Sequence, residues 1–386
     1  MAHQKPIRLL VVAHWPLGGI RTYMKYVYKY LPDRPERYAI TILASSTPED
    51  GALKRDAEEV GARLITYDPH GGKGHPSRII FREMLRNSYD LIQSQGFISS
   101  LHVYPANLFF RVPHILTVHG ILEERFLKGT TAPLKRAALS WVIRHVDALY
   151  AVSNDIMEHL YDNVPSLRTA RCRRVVIKNG IDVQSFTSAR TGNGDFRKKL
   201  GAGREVFLIG FLGRFMQQKG FDYLIDAVEE LERSRARTRE FKVAAVGSGD
   251  YLEWYKRVVR ERRLEHRFAF IPFQSDVLAL YRDFDVVAMP SIWEASGLLA
   301  MEALCAGTPL IASDCIGLRE TVRDTPALVF ESRNAAALAQ ALHNLMAVSH
   351  SEQFDTFRSR AVEQFDVRKT AREVDRLFTA LSARRL

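Results

Sequence analysis

The chain has 386 residues, 46% hydrophobic and 26% charged, which is ordinary for a folded protein and long enough for two domains. No apolar run approaches the roughly 18 residues of a membrane-spanning helix; residues 7–13 are too short for a secretion signal and lack a small-residue cleavage site, so they read as a first buried strand. The net charge of +11 lies mainly in the first half, with 25 Lys+Arg against 17 Asp+Glu up to residue 185, which suits anionic lipid or a phosphorylated acceptor and equally suits a solvated basic surface.

In chain order, short apolar runs alternate with amphipathic segments. Strands are expected at 7–13, 39–43, 63–65, 90–94, 114–118, 148–152 and 174–177, with helices such as 22–31, 51–60, 77–85 and 134–145 between them. This is the doubly wound pattern of a parallel sheet. Two basic clusters stand out in this half, Lys128, Lys135 and Arg136, and Arg168, Arg171, Arg173 and Arg174. Asn179-Gly180 marks a turn, and residues 184–194 are polar enough for a linker. The alternation then restarts, with strands at 206–212, 243–246, 268–271, 286–289, 310–312 and 327–330 and helices at 221–233, 251–261, 296–306 and 335–346. An amphipathic helix is expected at 368–381. The fold class is α/β with two Rossmann-like domains, 1–185 and 186–365, the tail 366–386 forming a last helix. The three cysteines (Cys172, Cys305, Cys315) are odd in number and lack metal-ligand spacing, which points to a reduced, cytoplasmic setting.

One stretch carries the densest chemistry. From Pro290 to Glu320 a strand end leads into a loop containing Glu294, then a helix from Ser296 onward, with Gly297, Leu298 and Leu299 near its start and Glu302 inside it. Gly307-Thr308-Pro309 stops that helix, and Gly317-Leu318-Arg319-Glu320 forms a second glycine turn. Ligands of open α/β sheets bind at the carboxyl ends of strands, and a helix N-terminus there favours an anion. Carboxylates on either side of such a junction can hold hydroxyls while the amides of Leu298 and Leu299 meet phosphate.

This stretch resembles the signature of retaining glycosyltransferases of the GT-B fold, glycosyltransferase family 4: two glutamates separated by seven residues, an Ala-x-Gly-x-Pro helix end and a Gly-Leu-x-Glu turn, in order. Ala295-Ser296 stands where the family usually has Gly-Phe. The resemblance extends over nearly the whole chain and implies two domains facing each other across a cleft, the C-terminal helix crossing back to the first. It further implies that Glu294 holds hydroxyls of the transferred sugar and Glu302 the ribose of the nucleotide. Gly213-Arg214, with Lys219-Gly220 beyond, follows a strand and resembles the family's element whose Arg and Lys grip the donor diphosphate; a glycine turn and two cations suit a leaving diphosphate.

In the first half, Gly18-Gly19 follows the first strand, as does the family's Gly-Gly loop, which lets backbone approach donor phosphate and acceptor; a glycine pair by itself also marks any turn. Arg21 is a candidate acceptor contact. His119-Gly120 ends the strand 114–118 and matches a family position where the histidine lines the cleft near the sugar, whereas His14, His102 and His114 read as structural. Phe273 lies where the family binds the nucleobase. The pair Asp283 and Asp285 has the spacing of a manganese-binding Asp-x-Asp, but it precedes a buried strand and is set aside.

The expected activity is transfer of a sugar from a UDP- or GDP-linked donor to an acceptor hydroxyl, with retention, in bacterial surface polysaccharide or glycolipid assembly. No cofactor or metal is expected, since Arg214, Lys219 and helix amides neutralise the leaving group. Expected partners are the nucleotide-sugar, a glycan or lipid-linked acceptor and an anionic membrane touched by the first domain at its inner face. A nonhydrolysing sugar-nucleotide 2-epimerase shares the fold but lacks the Gly-Leu-x-Glu turn. A nucleic-acid binder is prompted only by charge, with no basic helix, aromatic sheet signature or zinc motif behind it. No nucleic acid is expected.

Overall fold

The computed structural model describes residues 5–33, 36–47, 50–72, 75–122, 128–187, 194–234, 239–274, 277–348 and 350–383. The chain forms two compact units, Met1–Gly180 together with Val367–Leu386, and Ile181–Asp366.

The first unit contains β1 (Ile7–Ala13), α1 (Gly19–Lys29), β2 (Tyr38–Ser45), α2 (Asp50–Glu59), β3 (Arg63–Tyr67), α3 (His75–Arg86), β4 (Leu91–Gln95), α4 (Phe97–Phe110), β5 (His114–Val118), α5 (Ala132–Arg144), β6 (Ala148–Ala151), α6 (Asn154–Asn163) and β7 (Arg173–Val176). Its strands pair in the order β3-β2-β1-β4-β5-β6-β7, all parallel. Residues Leu9 to Ala13 are fully buried because both sheet faces are covered, which is why this strand reads as an unbroken apolar run. Right-handed crossovers put α1 and α2 on one face; the direction of winding reverses at β4, which puts α3, α4, α5 and α6 on the other.

The second unit contains α7 (Gln184–Thr187), α8 (Asp195–Lys199), β8 (Phe207–Leu212), α9 (Phe221–Arg233), β9 (Phe241–Val246), α10 (Leu252–Glu261), β10 (Phe268–Ile271), α11 (Leu278–Asp283), β11 (Val286–Met289), α12 (Leu298–Ala306), β12 (Leu310–Ser313), α13 (Leu318–Val322), β13 (Leu328–Phe330), α14 (Ala335–Ala347) and α15 (Ser351–Gln364). Its parallel sheet runs β10-β9-β8-β11-β12-β13. An aromatic cluster of Phe211, Phe215, Phe221 and Tyr255, all fully buried, fills the side under β8 and α9. The last helix, α16 (Val367–Ser382), belongs to the first unit, where it packs on α1 and buries Val374, Phe378 and Leu381.

Two expectations need correction. Part of the stretch read as linker is helical: α7 forms because Phe186 is buried and its carbonyl accepts a hydrogen bond from Arg358 at 2.7 Å. Residues 188–193 of that stretch lie outside the described residues. The helix 22–31 starts earlier, at Gly19, with Gly18 as its N-cap. Among the helices absent from the sequence reading, α4 is the instructive one. Its sequence, FISSLHVYPANLFF, has no charged residue and a proline inside, so no polar face marks a helical period.

Candidate functional site

In each sheet the strand order reverses at one place, between β1 and β4 in the first unit and between β8 and β11 in the second. Such a switch point leaves a crevice at the carboxyl ends of the strands. The predicted residues of the second unit follow β8 and β11 directly.

After β8, Gly213 donates its amide to Val246 O at 3.1 Å, and Phe215, fully buried, donates to Ser248 O at 2.8 Å. These bonds fix the loop and hold Arg214 between them, half-buried and with no hydrogen-bond or ion-pair partner among the described residues. Lys219 ends a 3-10 turn, Gln217–Lys219. Gly220 follows with φ 62°, and a Cβ there would stand 1.9 Å from the carbonyl oxygen of Pro290, so only glycine lets the two loops touch.

After β11, the loop 290–297 is tied to both neighbours. Ile292 donates to Gln218 O at 2.8 Å, the Gln218 amide donates to Trp293 O at 3.1 Å, and Glu294 N donates to Ile316 O at 2.9 Å. The Ser313 hydroxyl donates to Ser291 O at 2.6 Å. Gly317, at φ 80°, lies so close that a Cβ would stand 2.0 Å from Glu294 O. The glycine turn of the signature is therefore the back wall of the Glu294 loop.

These constraints bring the carboxylate of Glu294 to Lys219. Nζ donates to Oε1 at 2.7 Å, and the buried Ser291 hydroxyl donates to the same oxygen at 2.7 Å. Oε1 is thus filled from the protein, while Lys219 keeps two further N–H groups. The position of a Cβ at Gly213 lies 3.5 Å from Leu299 Cδ1 and 3.8 Å from Lys219 Cε, which places the start of α12 beside the same pair. Leu298 and Leu299 occupy the first turn of α12 behind the N-cap Gly297, where amides have no intrahelical acceptor.

Glu302 sits in the second turn of α12, buried, and accepts a hydrogen bond from the Tyr281 hydroxyl at 2.8 Å. Burial pushes its carboxyl up to about 7, partly opposed by that bond. The sequence reading missed both Ser291 and Tyr281. Ser291 lay in view three residues before Glu294; Tyr281 left no signal, since it is 21 residues from the glutamate it holds.

In the first unit, Gly18 and Gly19 follow β1, and Arg21, the candidate acceptor contact, points to Asp56 of α2 at 3.1 Å. His119 follows β5. Its Nε2 faces Gln95 Oε1 at 2.6 Å, and its ring stands edge-on to Tyr23 at 4.8 Å. Gln95 in turn donates from its amide nitrogen to the Tyr28 hydroxyl, which donates to Gln93. This chain of donors sets the His119 tautomer: Nε2 carries the proton and Nδ1 keeps its lone pair. Burial lowers the imidazole to about 3, so His119 is a neutral hydrogen-bonding group rather than a cation.

Of the residues set aside, Asp283 accepts from the amides of Gly194 and Phe196 at 3.2 and 3.1 Å, and Asp285 accepts from Arg197 at 2.9 Å and from Leu208 N at 2.6 Å. Both carboxylates are committed to the fold. Arg174 is likewise occupied, donating to the carbonyls of Leu167 and Arg168. Phe273 is exposed. Among the described residues no group of three or more His, Cys, Asp or Glu is placed to hold a metal ion.

Two doubly wound units in one chain, with a signature loop at a switch point, define the GT-B class of glycosyltransferase. The model of the glycosyl transferases group 1 matches residues 193–361 and that of glycosyltransferase family 4 matches residues 17–185; the chain belongs to this family. It is 35% identical over 245 residues to the uncharacterized glycosyltransferase MJ1607 of Methanocaldococcus jannaschii, covering 61% of this chain and 60% of that protein's length. It is 26% identical over 328 residues to the D-inositol 3-phosphate glycosyltransferase of Corynebacterium glutamicum, covering 78% and 77%. Among solved structures, Anabaena HepE in complex with UDP-glucose superposes with a TM-score of 0.80 at 20% identity, covering 97% of this chain and 100% of that one.

Proposed function

We propose that this glycosyltransferase moves a sugar from a nucleoside-diphosphate donor to an acceptor hydroxyl with retention of the anomeric configuration and without a metal. The observation that carries the proposal is the Lys219–Glu294 contact of 2.7 Å beside the first turn of α12. In this reading Lys219, the unpartnered Arg214, Gly213 and the amides of Leu298 and Leu299 hold the diphosphate. Glu294 takes sugar hydroxyls on Oε2, Lys219 and Ser291 having filled Oε1. Glu302 takes the ribose. In the first unit, Gly18 and Gly19 offer close backbone approach, and His119 offers Nδ1 as an acceptor for a hydroxyl.

The bond from the anomeric carbon to the diphosphate breaks as positive charge develops on the sugar. The acceptor oxygen bonds to that carbon from the same face, and its proton passes to the departing diphosphate. Cations fixed before the reaction stabilise the growing negative charge without reorganising. The HepE complex makes UDP the first nucleotide to try, with GDP the second. The proposed setting is surface polysaccharide or glycolipid assembly, with a glycan or lipid-linked acceptor.

The test is release of nucleoside diphosphate from a panel of UDP- and GDP-sugars offered with sugar and lipid-linked acceptors, with and without EDTA. The product linkage is assigned by NMR. Turnover with EDTA and retention, lost in Glu294→Gln, supports the proposal; an inverted product or strict metal dependence refutes it.

A further inference from the structure

Helix α4 is apolar on the side that a surface helix normally makes polar. Ile98, Leu101, Pro105, Leu108 and Phe109 all face outward, Leu108 at 54% and Phe109 at 76% exposure. Their spacing of three, four, three and one residues draws a single stripe along the helix. Leu85 at the end of α3, and Leu134 and Trp141 on α5, extend it to both sides. Trp141 stacks edge-on against Tyr104 of α4, with ring centroids 3.8 Å apart, so the two helices present one continuous surface. A groove of about 310 Å³ between α3 and α4 is lined by Phe81, Pro105 and Phe109 together with Arg78 and Arg82.

Within these three helices the exposed charges are of one sign. Helix α3 exposes Arg78, Arg82 and Arg86, and α5 carries Lys135, Arg136 and Arg144. Across the three helices the single carboxylate is Glu83, which is buried and takes hydrogen bonds from Arg63, Tyr89 and Asn87. A contiguous apolar stripe is a marker of an interaction surface. The exposed Arg78, Arg82 and Arg86 along the α3 edge match an anionic interface, where apolar side chains enter the acyl boundary and guanidinium groups meet headgroup phosphates. No helix among the described residues is long and apolar enough to cross a membrane.

We infer that the α3–α4–α5 face of the first unit docks on an anionic lipid surface. This inference does not rest on the proposed reaction. The basic residues singled out in the sequence lie elsewhere for the most part; the surface is set by α4, which has no charge at all.

The experiment is co-sedimentation of the full chain with phosphatidylcholine vesicles, with and without phosphatidylglycerol, at low and high salt. Three proteins are compared: wild type, the double variant Arg78→Glu/Arg82→Glu, and the double variant Leu108→Ser/Phe109→Ser. Wild type is expected to bind only the anionic vesicles and to weaken with salt. Each variant is expected to lose at least about tenfold in partition. Both pairs are exposed, and an unchanged melting temperature and nucleotide response of the second unit separate a lost surface from a lost fold or a failed donor reading. Binding equal in all three proteins, or none by wild type, overturns the inference. So does a wild-type dimer in sedimentation velocity that the Leu108/Phe109 variant dissociates, since a second copy then owns the face.

Discussion

Lys219 and Glu294, 75 residues apart in sequence, meet at 2.7 Å because Gly220 lets their loops touch and Gly317 backs the Glu294 loop. The pair is nearly dry: the Lys219 side chain is 18% exposed and that of Glu294 8%. Removing the cation leaves a buried carboxylate with one remaining donor, Ser291. Lys219→Met is expected to cost about 1–3 kcal/mol of stability, and the double variant Lys219→Met/Glu294→Gln to recover part of it. Urea unfolding of the single and double variants measures the coupling. Equal losses in both would remove the pair from the account.

Gly220 and Gly317 test the same geometry from the backbone side. Both have positive φ, and an added methyl meets a carbonyl oxygen rather than a movable side chain. Gly317→Ala is expected to destabilise by about 1–3 kcal/mol or to displace the Glu294 loop, with turnover falling in either case. Wild-type stability and turnover in Gly317→Ala would show that the turn does not brace the loop.

Glu302 gives the protein a pH dependence of defined sign. Its carboxyl is raised to about 7 when folded, against an ordinary 4.5 when unfolded, so between those values the folded state binds the extra proton. Stability contributed by this group therefore falls as pH rises from 4.5 to 7 and is level above. Glu302→Gln keeps the acceptor for Tyr281 and carries no charge. It should melt higher than wild type at pH 8 and level with it near pH 5, while losing donor affinity if the carboxylate meets the ribose. Thermal melts at the two pH values settle the first half and nucleotide titration the second.

His119 and His114 act in the opposite direction. Each is lowered to about 3 by burial, so the unfolded chain takes up protons first as pH falls below 6.5. Their contribution is intact above 6.5 and is lost progressively toward 3. Replacing His119 by Asn should flatten part of the acid limb of the stability profile. It should leave a transition near pH 7 in donor-dependent turnover in place, because the Glu302 carboxyl is the group that burial raises to about 7. A pH–rate profile in which the transition near 7 vanishes with His119→Asn would reverse this assignment.

Much of the fold was legible because parallel strands covered on both faces read as plain apolar runs, as in Leu9 to Ala13. The signature helix was legible because Gly297 and Gly307 bracket it. What escaped was of two kinds. Helix α4 has no polar side for a period to reveal, so its sequence looked like neither a strand nor a surface helix. The partners of site residues, Tyr281 of α11 for Glu302 and Gln95 of β4 for His119, are brought in by the fold from distant positions, and nothing near the glutamate or the histidine announces them.

The most direct test of the donor site is nucleotide binding by the intact chain. Melting temperature is followed against UDP, GDP, ADP and their sugars, with and without EDTA, in wild type, Lys219→Ala and Glu302→Gln. The account predicts that one nucleotide stabilises wild type, that EDTA leaves the shift intact, and that both variants lose most of it. No shift with any nucleotide at millimolar concentration, or a shift that both variants keep in full, would contradict it.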